Sequence, residues 1–149
     1  MSDRREYPST PLVGVGTFVL RDGHVLLVKR GRAPGQGKWS IPGGLVHVGE
    51  TIEAAARREA EEECGLVVTL HGLVGIVDRI IPGAAGRIKY HYVLIDFLAR
   101  PESGEPTAGS DAAEVRWVPV GEVKNYDTTE ELARMVERAV DLLEGGRKG

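Results

Sequence analysis

The chain has 149 residues, enough for one domain that buries a core without disulfides or a structural metal. Hydrophobic residues make up 42% and charged residues 28%, and no apolar run approaches the roughly eighteen residues of a membrane helix, so we expect a soluble protein that does not bind membranes. The net charge of −3, with Lys and Arg scattered along the chain, argues against a nucleic-acid polymer as partner and favours a small phosphorylated metabolite.

The N-terminal segment, MSDRREYPSTP, carries charge but no apolar stretch typical of a secretory signal. Cys64 is the only cysteine, so an intrachain disulfide cannot form. Both features fit a reducing compartment, and we therefore expect the protein to be cytoplasmic.

The first predicted elements are two β-strands joined by a tight turn. Residues 12–20 are apolar and rich in β-forming side chains, and residues 24–28 form a second apolar run. Asp22 and Gly23 between them favour a two-residue turn, so the pair predicts a hairpin. A loop rich in Gly and Pro follows at residues 31–44.

Residues 51–64 predict the clearest helix, because Ala, Arg and Glu dominate and neither Gly nor Pro interrupts them. Thr51 can cap its N-terminus, and Glu53 lies in the first turn, where the helix dipole favours an anion. Gly65 suits the left-handed position just past the end. Three further strands are predicted after it, at residues 66–78, 88–99 and 114–118.

The last predicted element is an amphipathic helix that begins at Asp127 and Thr128, where Thr128 and Glu131 have the spacing of a capping box. Its apolar face is formed by Leu132, Met135, Val136 and Ala139. From Gly145 onward the sequence GGRKG predicts a frayed tail at residues 145–149. Strands interrupted by one helix and closed by another predict a single domain over residues 1–149, an α/β (α+β) sandwich with helices covering the sheet.

Three glutamates cluster on the central helix. Glu59, Glu62 and Glu63 stand at i, i+3 and i+4, which places their carboxylates on one face about 5–6 Å apart. The negative charges of these carboxylates repel one another, and a cation bound among them would offset that repulsion. Hard carboxylate oxygens favour Mg²⁺ or Mn²⁺ as this cation. The alternative is a solvated charged face, helped by pairing of Glu53 with Arg57.

The surrounding sequence favours the metal site. From residue 44 the chain reads GLVHVGETIEAAARREAEEECGL, which follows the pattern G-x5-E-x7-R-E-U-x-E-E-x-G-U, where U is apolar. The matching positions are Gly44, Glu50, Arg58, Glu59, Ala60, Glu62, Glu63, Gly65 and Leu66. This segment, residues 44–66, resembles the Nudix box, and WSIPGG before it resembles the W-x-x-P-G-G segment of Nudix hydrolases. Ala60 is smaller than the apolar residue usual at its position. We expect this difference to affect the packing of the helix and not the chemistry of the site.

The resemblance implies a Nudix-type α/β/α sandwich with a mixed sheet, and a loop-helix-loop motif that binds one to three divalent cations, Mg²⁺ with Mn²⁺ as a substitute. The positions that match the family's metal ligands are Glu59, Glu62, Glu63 and the carbonyl of Gly43. Arg58 and Glu50 match the pair that holds the loop and orients those carboxylates. The metals then neutralise diphosphate oxygens, lower the pKa of a bound water and align it for attack on phosphorus.

One carboxylate should accept the proton of that water, either from the box or from outside it. Glu114, at the start of the strand EVRWV, is the outside candidate, and Asp111 is a nearby rival. The alternative for Glu114 is a strand-edge glutamate that faces solvent.

Other polar and aromatic residues are candidates for substrate binding. Arg30 and Arg32 could hold phosphate oxygens in bidentate fashion, or be loop arginines without a role. Trp39 could stack on a base or support the loop, and we favour support. His91 and Tyr92 lie on opposite faces of one strand, so at most one of them faces the site.

The box predicts the reaction class and leaves the substrate open. Pro82 lies sixteen residues after Leu66, close to where ADP-ribose pyrophosphatases carry a proline, so Pro82 is a candidate substrate-site residue. The pattern is similar to compact ADP-ribose pyrophosphatase-like Nudix proteins, whose products are AMP and ribose 5-phosphate.

Two alternatives stay open: a (deoxy)nucleoside triphosphatase for oxidised purines that releases pyrophosphate, and a non-catalytic module that senses nucleotides. A homodimer, with the strand at residues 12–20 exchanged or paired, is a further expectation.

Overall fold

The computed structural model describes residues 5–109, 111–129 and 131–148, the last three of them by their backbone alone. The strands are β1 (Leu12–Arg21), β2 (His24–Arg30), β3 (Trp39–Ser40), β4 (Gly43–Leu45), β5 (Val67–Pro82), β6 (Ile88–Ser103) and β7 (Ala112–Pro119). The helices are α1 (Ile52–Cys64) and α2 (Leu132–Lys148), with short 3₁₀ turns at Ala84–Gly86 and Val120–Asn125.

The seven strands form one mixed sheet, as the resemblance implies. Its order is β3-β2-β1-β6-β5, with β4 also paired to β1 and β7 to β2. Strand β1 runs parallel to β6 and antiparallel to β2 and β4. Apolar side chains of α1 pack on one face with Val15 and Val19, and those of α2 pack on the other with Phe18 and Leu98. The predicted sandwich is therefore confirmed.

The predicted hairpin is also confirmed. Leu20 pairs with Val25 across the turn. Asp22 and Gly23 have φ angles of 49° and 76°, and two successive left-handed residues are what a tight turn between twisted strands requires. Strands β5 and β6 form a second hairpin, and each is longer than predicted.

Helix α1 begins and ends where its capping residues predict. The side chain of Thr51 accepts a hydrogen bond from the Ala54 N–H at 3.1 Å, and Gly65 is left-handed with φ 69°. Its buried residues are Ala55, Ala56, Ala60 and Cys64, all of them small. The short side chain of Ala60 thus belongs to a helix that lies close against the sheet.

Helix α2 begins at Leu132, five residues later than the predicted start at Asp127. The preceding segment is bound to strand β3 instead: the Trp39 N–H donates to the Asp127 carbonyl at 2.8 Å, and the Thr129 N–H donates to the Trp39 carbonyl at 2.9 Å. Glu131 has φ 65°, which is not helical, so the capping box predicted from Thr128 is wrong. The predicted apolar face of this helix is buried.

The other end of α2 also differs from the prediction. The helix continues through Gly145 to Lys148, where the sequence predicts a frayed tail from residue 145. Adding residues to an existing helix costs far less than starting one, which accounts for the continuation across two glycines. Gly149 lies outside the described residues.

Strand β1 is an interior strand of the sheet. It is paired with β6 along one side, and on its other side with β4 at Gly14–Gly16 and with β2 near its end. Pairing of this strand with a second copy is therefore not available in this arrangement, because the strand has no long free edge. The homodimer itself stays a prediction, as does the cytoplasmic location. In the described part of the chain, neither helix is long and apolar enough to cross a membrane.

Candidate active site

A cavity of about 520 Å³ opens at the edge formed by β4 and extends over the sheet face that carries α2. Glu59 and Glu63 of α1 line one end of it, and Arg30 and Arg32 stand in the adjoining wall. Its floor is formed by residues of β1 and β6, among them Gly16. Acidic and basic groups thus share one opening, as a metal-bound phosphate would require.

Two glycines of β4 let the acidic helix approach the sheet edge. A Cβ atom on Gly43 would overlap the carbonyl oxygen of Val15 and lie 3.0 Å from the Gly16 Cα. A Cβ atom on Gly44 would overlap the Glu59 carboxyl carbon and lie 2.5 Å from its Oε1. Gly43 is therefore required by the backbone beside it, whereas a side chain at Gly44 would displace the Glu59 carboxylate from its present position.

Glu63 is a partly buried carboxylate beside β4. Its Oε2 accepts a hydrogen bond from the Gly43 N–H at 3.2 Å. Burial raises its pKa to about 7, and the negative charge of Glu59 adds to the rise. A partly buried carboxylate beside a second one is stabilised by a nearby cation, so this pair is suited to hold one.

Arg58 connects the helix to the loop before it. It donates hydrogen bonds to both oxygens of Glu50 at 2.7 and 3.0 Å and to the Leu45 carbonyl at 3.0 Å. It also donates to Glu59 at 2.7 Å and Glu62 at 3.0 Å. The hydrogen bond from Arg58 and that from the His47 N–H hold the pKa of Glu50 at about 2. Arg58 therefore fixes the loop and orients two of the box carboxylates.

The donor set fits a hard divalent cation. Glu59 and Glu63 share the cavity wall, whereas Glu62 is largely exposed and directed at Arg58. As they stand, no three His, Cys, Asp or Glu side chains in the described ranges are close enough together to enclose an ion. The two cavity carboxylates, with the backbone at Gly43, offer the oxygen ligands that Mg²⁺ prefers.

Arg30 and Arg32 both line the cavity, as a phosphate-binding role requires. Arg30 is partly buried, the loss of hydration lowers its pKa, and its Nε donates a hydrogen bond to the Pro34 carbonyl. Arg32 is half-exposed, and its Nη1 lies 3.7 Å from Oδ1 of Asp111, which lines the same cavity. The two guanidinium groups therefore share the cavity with the carboxylates, and the charges of Arg30 and Glu63 act on each other.

The model of the NUDIX domain family matches residues 10–139. The chain belongs to the Nudix hydrolase family. A MutT NUDIX hydrolase from Burkholderia pseudomallei has a similar structure, with a TM-score of 0.74 and 35% identity, covering 87% of this chain and 98% of that one.

Two curated relatives of this Nudix chain carry different substrate names. An ADP-ribose pyrophosphatase of Methanocaldococcus jannaschii is 36% identical over 107 residues, which is 72% of this chain and 61% of the relative. An oxidized purine nucleoside triphosphate hydrolase of Danio rerio is 40% identical over 114 residues, 71% of this chain and 65% of the relative. The match thus spans just under two thirds of each relative's length.

Outside the Nudix box, Glu114 does not line the cavity. Its carboxylate is half-exposed and hydrogen-bonded to Arg116. Glu114 lies within β7 and pairs with Lys29 of β2, which does not line the cavity either. Asp111, the rival candidate, is on the cavity wall.

Trp39 and Pro82 do not line the cavity either. Trp39 is 8% exposed and makes an edge-to-face contact with Tyr126 at 5.5 Å between ring centroids, as expected of a residue that supports the loop. Its role in substrate binding stays a prediction. Pro82 is exposed at the far end of β5, beyond the cavity wall. Tyr92 lines the cavity, and His91 points to the opposite face.

Several cavity residues were not identified from the sequence. Among them are Arg79 on β5, and Leu94 and Asp96 on β6. Asp96 is 8% exposed, and burial raises its pKa to about 6. The sequence carries one signal for Asp96: it is the acidic residue within the otherwise apolar stretch VLIDFLA. Burial of a charge in a strand costs free energy, so such a residue is a candidate for a functional role.

Proposed function

We propose that this Nudix chain hydrolyses a nucleoside diphosphate linked to another moiety, with Mg²⁺, or Mn²⁺ in its place, as cofactor. The observation that carries the proposal is that two box carboxylates, Glu59 and Glu63, line the same cavity as Arg30, whose positive charge acts on Glu63. Bound Mg²⁺ would supply charge neutralisation on phosphate oxygens and an activated water. Glu62 and the Gly43 carbonyl complete the proposed ligand set.

The residues around these ligands have separate tasks in the proposed reaction. Arg58 and Glu50 hold the carboxylates in place, since their hydrogen bonds join the helix to its loop. Arg30 and Arg32 take phosphate oxygens, which a guanidinium can bind in bidentate fashion. Of the two carboxylates outside the box, Asp111 is better placed than Glu114 to accept the proton of the attacking water, because Asp111 lines the cavity.

ADP-ribose is the first candidate substrate, with AMP and ribose 5-phosphate as products. The relative named ADP-ribose pyrophosphatase supports this choice. A cavity of about 520 Å³ is in the size range of small-molecule sites, which fits a free nucleotide as the partner. The second candidate is a nucleoside triphosphate with an oxidised purine, supported by the relative named for that reaction.

Product identity tests the proposal. Wild-type protein is incubated with Mg²⁺ and ADP-ribose, dGTP or 8-oxo-dGTP, and the products are separated by anion-exchange chromatography. We expect AMP and ribose 5-phosphate from ADP-ribose. Pyrophosphate from either triphosphate, with ADP-ribose untouched, would establish the second candidate instead, and no cleavage of any of them would favour a nucleotide-sensing module.

A matched pair of variants ties any cleavage to the box. Glu63→Gln keeps the shape of the side chain and removes a ligand charge, so we expect most of the turnover to be lost. Glu61→Gln makes the same change at an exposed position of the same helix and should leave turnover unchanged. Activity near that of wild type in Glu63→Gln at saturating Mg²⁺ would contradict the proposed role of this carboxylate.

A further inference from the structure

Asp96 is an acidic residue in the floor of the cavity, away from the Nudix box. It lies on β6 between strands β1 and β5, paired with Gly16 on one side and Gly75 on the other. Side chains alternate along a strand, so Asp96 shares with Leu94 and Tyr92 the face that lines the cavity. With 8% of its surface exposed, Asp96 is more than nine-tenths buried.

The absence of a side chain at Gly16 makes room for this carboxylate. A Cβ atom on Gly16 would lie 2.7 Å from Asp96 Oδ1 and 2.7 Å from the Ile41 Cδ1. The carboxylate therefore rests over the backbone of β1, beside an apolar side chain. Val77 and Leu94 line the same face, so the surroundings of this polar group are largely apolar.

The Asp96 carboxylate lies at a buried, largely apolar position. Burial raises its pKa to about 6, and the positive charge of Arg79 offsets only part of that rise. A polar group at such a position has lost hydration, and a ligand that donates hydrogen bonds to it compensates for that loss. Asp96 lines the cavity, so a ligand bound there can reach it.

The distance from the box carboxylates indicates which part of a substrate Asp96 can reach. Gly16 lies between Gly43 and Asp96 in the sheet, paired with both. Two strand spacings place the backbone of Asp96 about 10 Å from that of Gly43, whose N–H binds Glu63. A substrate whose diphosphate is held by the box glutamates therefore reaches Asp96 with one of the groups joined to that diphosphate.

We propose that Asp96 is a specificity-determining residue that hydrogen-bonds the polar edge of a purine base. A base has two flat apolar faces, which fit between side chains such as Ile41 and Leu94, and a rim of N–H and amino donors for the carboxyl group. The inference rests on the proposed nucleotide hydrolysis. It adds the recognition of the base, which the box does not provide.

The test uses nucleoside monophosphates, which contain no phosphoric anhydride and cannot be cleaved. Binding of AMP, GMP, CMP and 2′-deoxy-AMP to the full chain with Mg²⁺ is measured by titration calorimetry. We expect the wild type to bind a purine at least tenfold more tightly than CMP. Asp96→Asn and Asp96→Leu should each lower purine affinity about tenfold, which corresponds to about 1.4 kcal/mol, and leave CMP affinity unchanged.

Asp78→Asn is the matched control. Asp78 lies on the neighbouring strand β5, is exposed, and points to the opposite face of the sheet. Its binding profile should equal that of wild type. Two outcomes would overturn the inference: purine affinity unchanged in both Asp96 variants, or an equal loss for AMP and CMP. A loss that is absent with 2′-deoxy-AMP would assign Asp96 to the ribose hydroxyl and likewise overturn base recognition.

This experiment is independent of turnover. If the purine preference depends on Asp96 but no anhydride in the substrate panel is cleaved, the proposed hydrolysis fails and the base-recognition site stands. If hydrolysis is found and the purine preference does not depend on Asp96, only the inference fails. Thermal unfolding of both variants checks that the fold is kept, and the apolar Asp96→Leu is expected to unfold no earlier than Asp96→Asn.

Discussion

At the scale of single residues, Arg58 has the largest share of the hydrogen bonds around the candidate site. Its planar group binds Glu50, Glu59 and Glu62 at once, a geometry that a lysine ammonium cannot reproduce. We expect Arg58→Lys to lower kcat about 10- to 100-fold, the usual cost of losing a group that orients metal ligands. Steady-state kinetics at saturating Mg²⁺ is the measurement.

Arg57→Lys is the matched control for this change, because Arg57 is exposed on the same helix. It should leave kcat unchanged. If Arg58→Lys also kept the wild-type kcat, the hydrogen bonds of Arg58 would stabilise the loop without serving the reaction.

The raised pKa of Glu63 predicts that Mg²⁺ binding depends on pH. Burial raises this pKa to about 7 in the absence of metal, so the carboxyl group is largely protonated at pH 6 and largely ionised at pH 8. Protons compete with the cation, and Mg²⁺ should therefore bind about tenfold more tightly at pH 8 than at pH 6. Glu63→Gln should abolish this pH dependence. If Mg²⁺ affinity in that variant still differed between pH 6 and pH 8, another group would be responsible. Calorimetric titration at the two pH values measures it.

At the scale of elements, the contact between β4 and β1 depends on glycine. A Cβ atom on Gly43 would overlap the Val15 carbonyl oxygen, and backbone cannot move aside as a flexible side chain can. We expect Gly43→Ala to lower the free energy of unfolding by about 1–3 kcal/mol, the usual cost of overpacking. Gly121→Ala is the control, because nothing lies within 4 Å of its Cβ position and it should change stability little. Denaturant unfolding compares them, and equal stabilities would show that β4 can shift away.

The elements also show what sequence patterns can predict. Helix α1 was predicted within one residue because its signals, Thr51 and Gly65, are local to the chain. The start of α2 was predicted wrongly because Trp39, about ninety residues earlier, binds the backbone at Asp127 and Thr129. Such long-range hydrogen bonds leave no mark in a local pattern. The helix propensity of single residues therefore does not predict where tertiary contacts replace helical hydrogen bonds.

At the scale of the whole molecule, the candidate site combines one part that is continuous in sequence with one that is not. The box residues Glu50, Arg58 and Glu59 were predicted together because one loop and one helix carry them. Asp96 and Arg79 come from two strands whose pairing creates the cavity floor. Which face of a strand meets a cavity depends on the packing of α2 over the sheet, and this could not be predicted from the strand alone.

Ligand binding should therefore stabilise the whole fold through both parts of the site. A ligand that binds only the folded state at a hundred times its Kd adds about 2.7 kcal/mol, which for a chain of this size raises Tm by roughly 5–10 °C. We expect this shift for wild-type protein with AMP and Mg²⁺ together, measured by differential scanning calorimetry. In Glu63→Gln we expect to lose the part of the Tm increase that depends on Mg²⁺. In Asp96→Asn we expect to lose the part that depends on the purine. Equal shifts in all three proteins would show that the nucleotide binds outside this cavity.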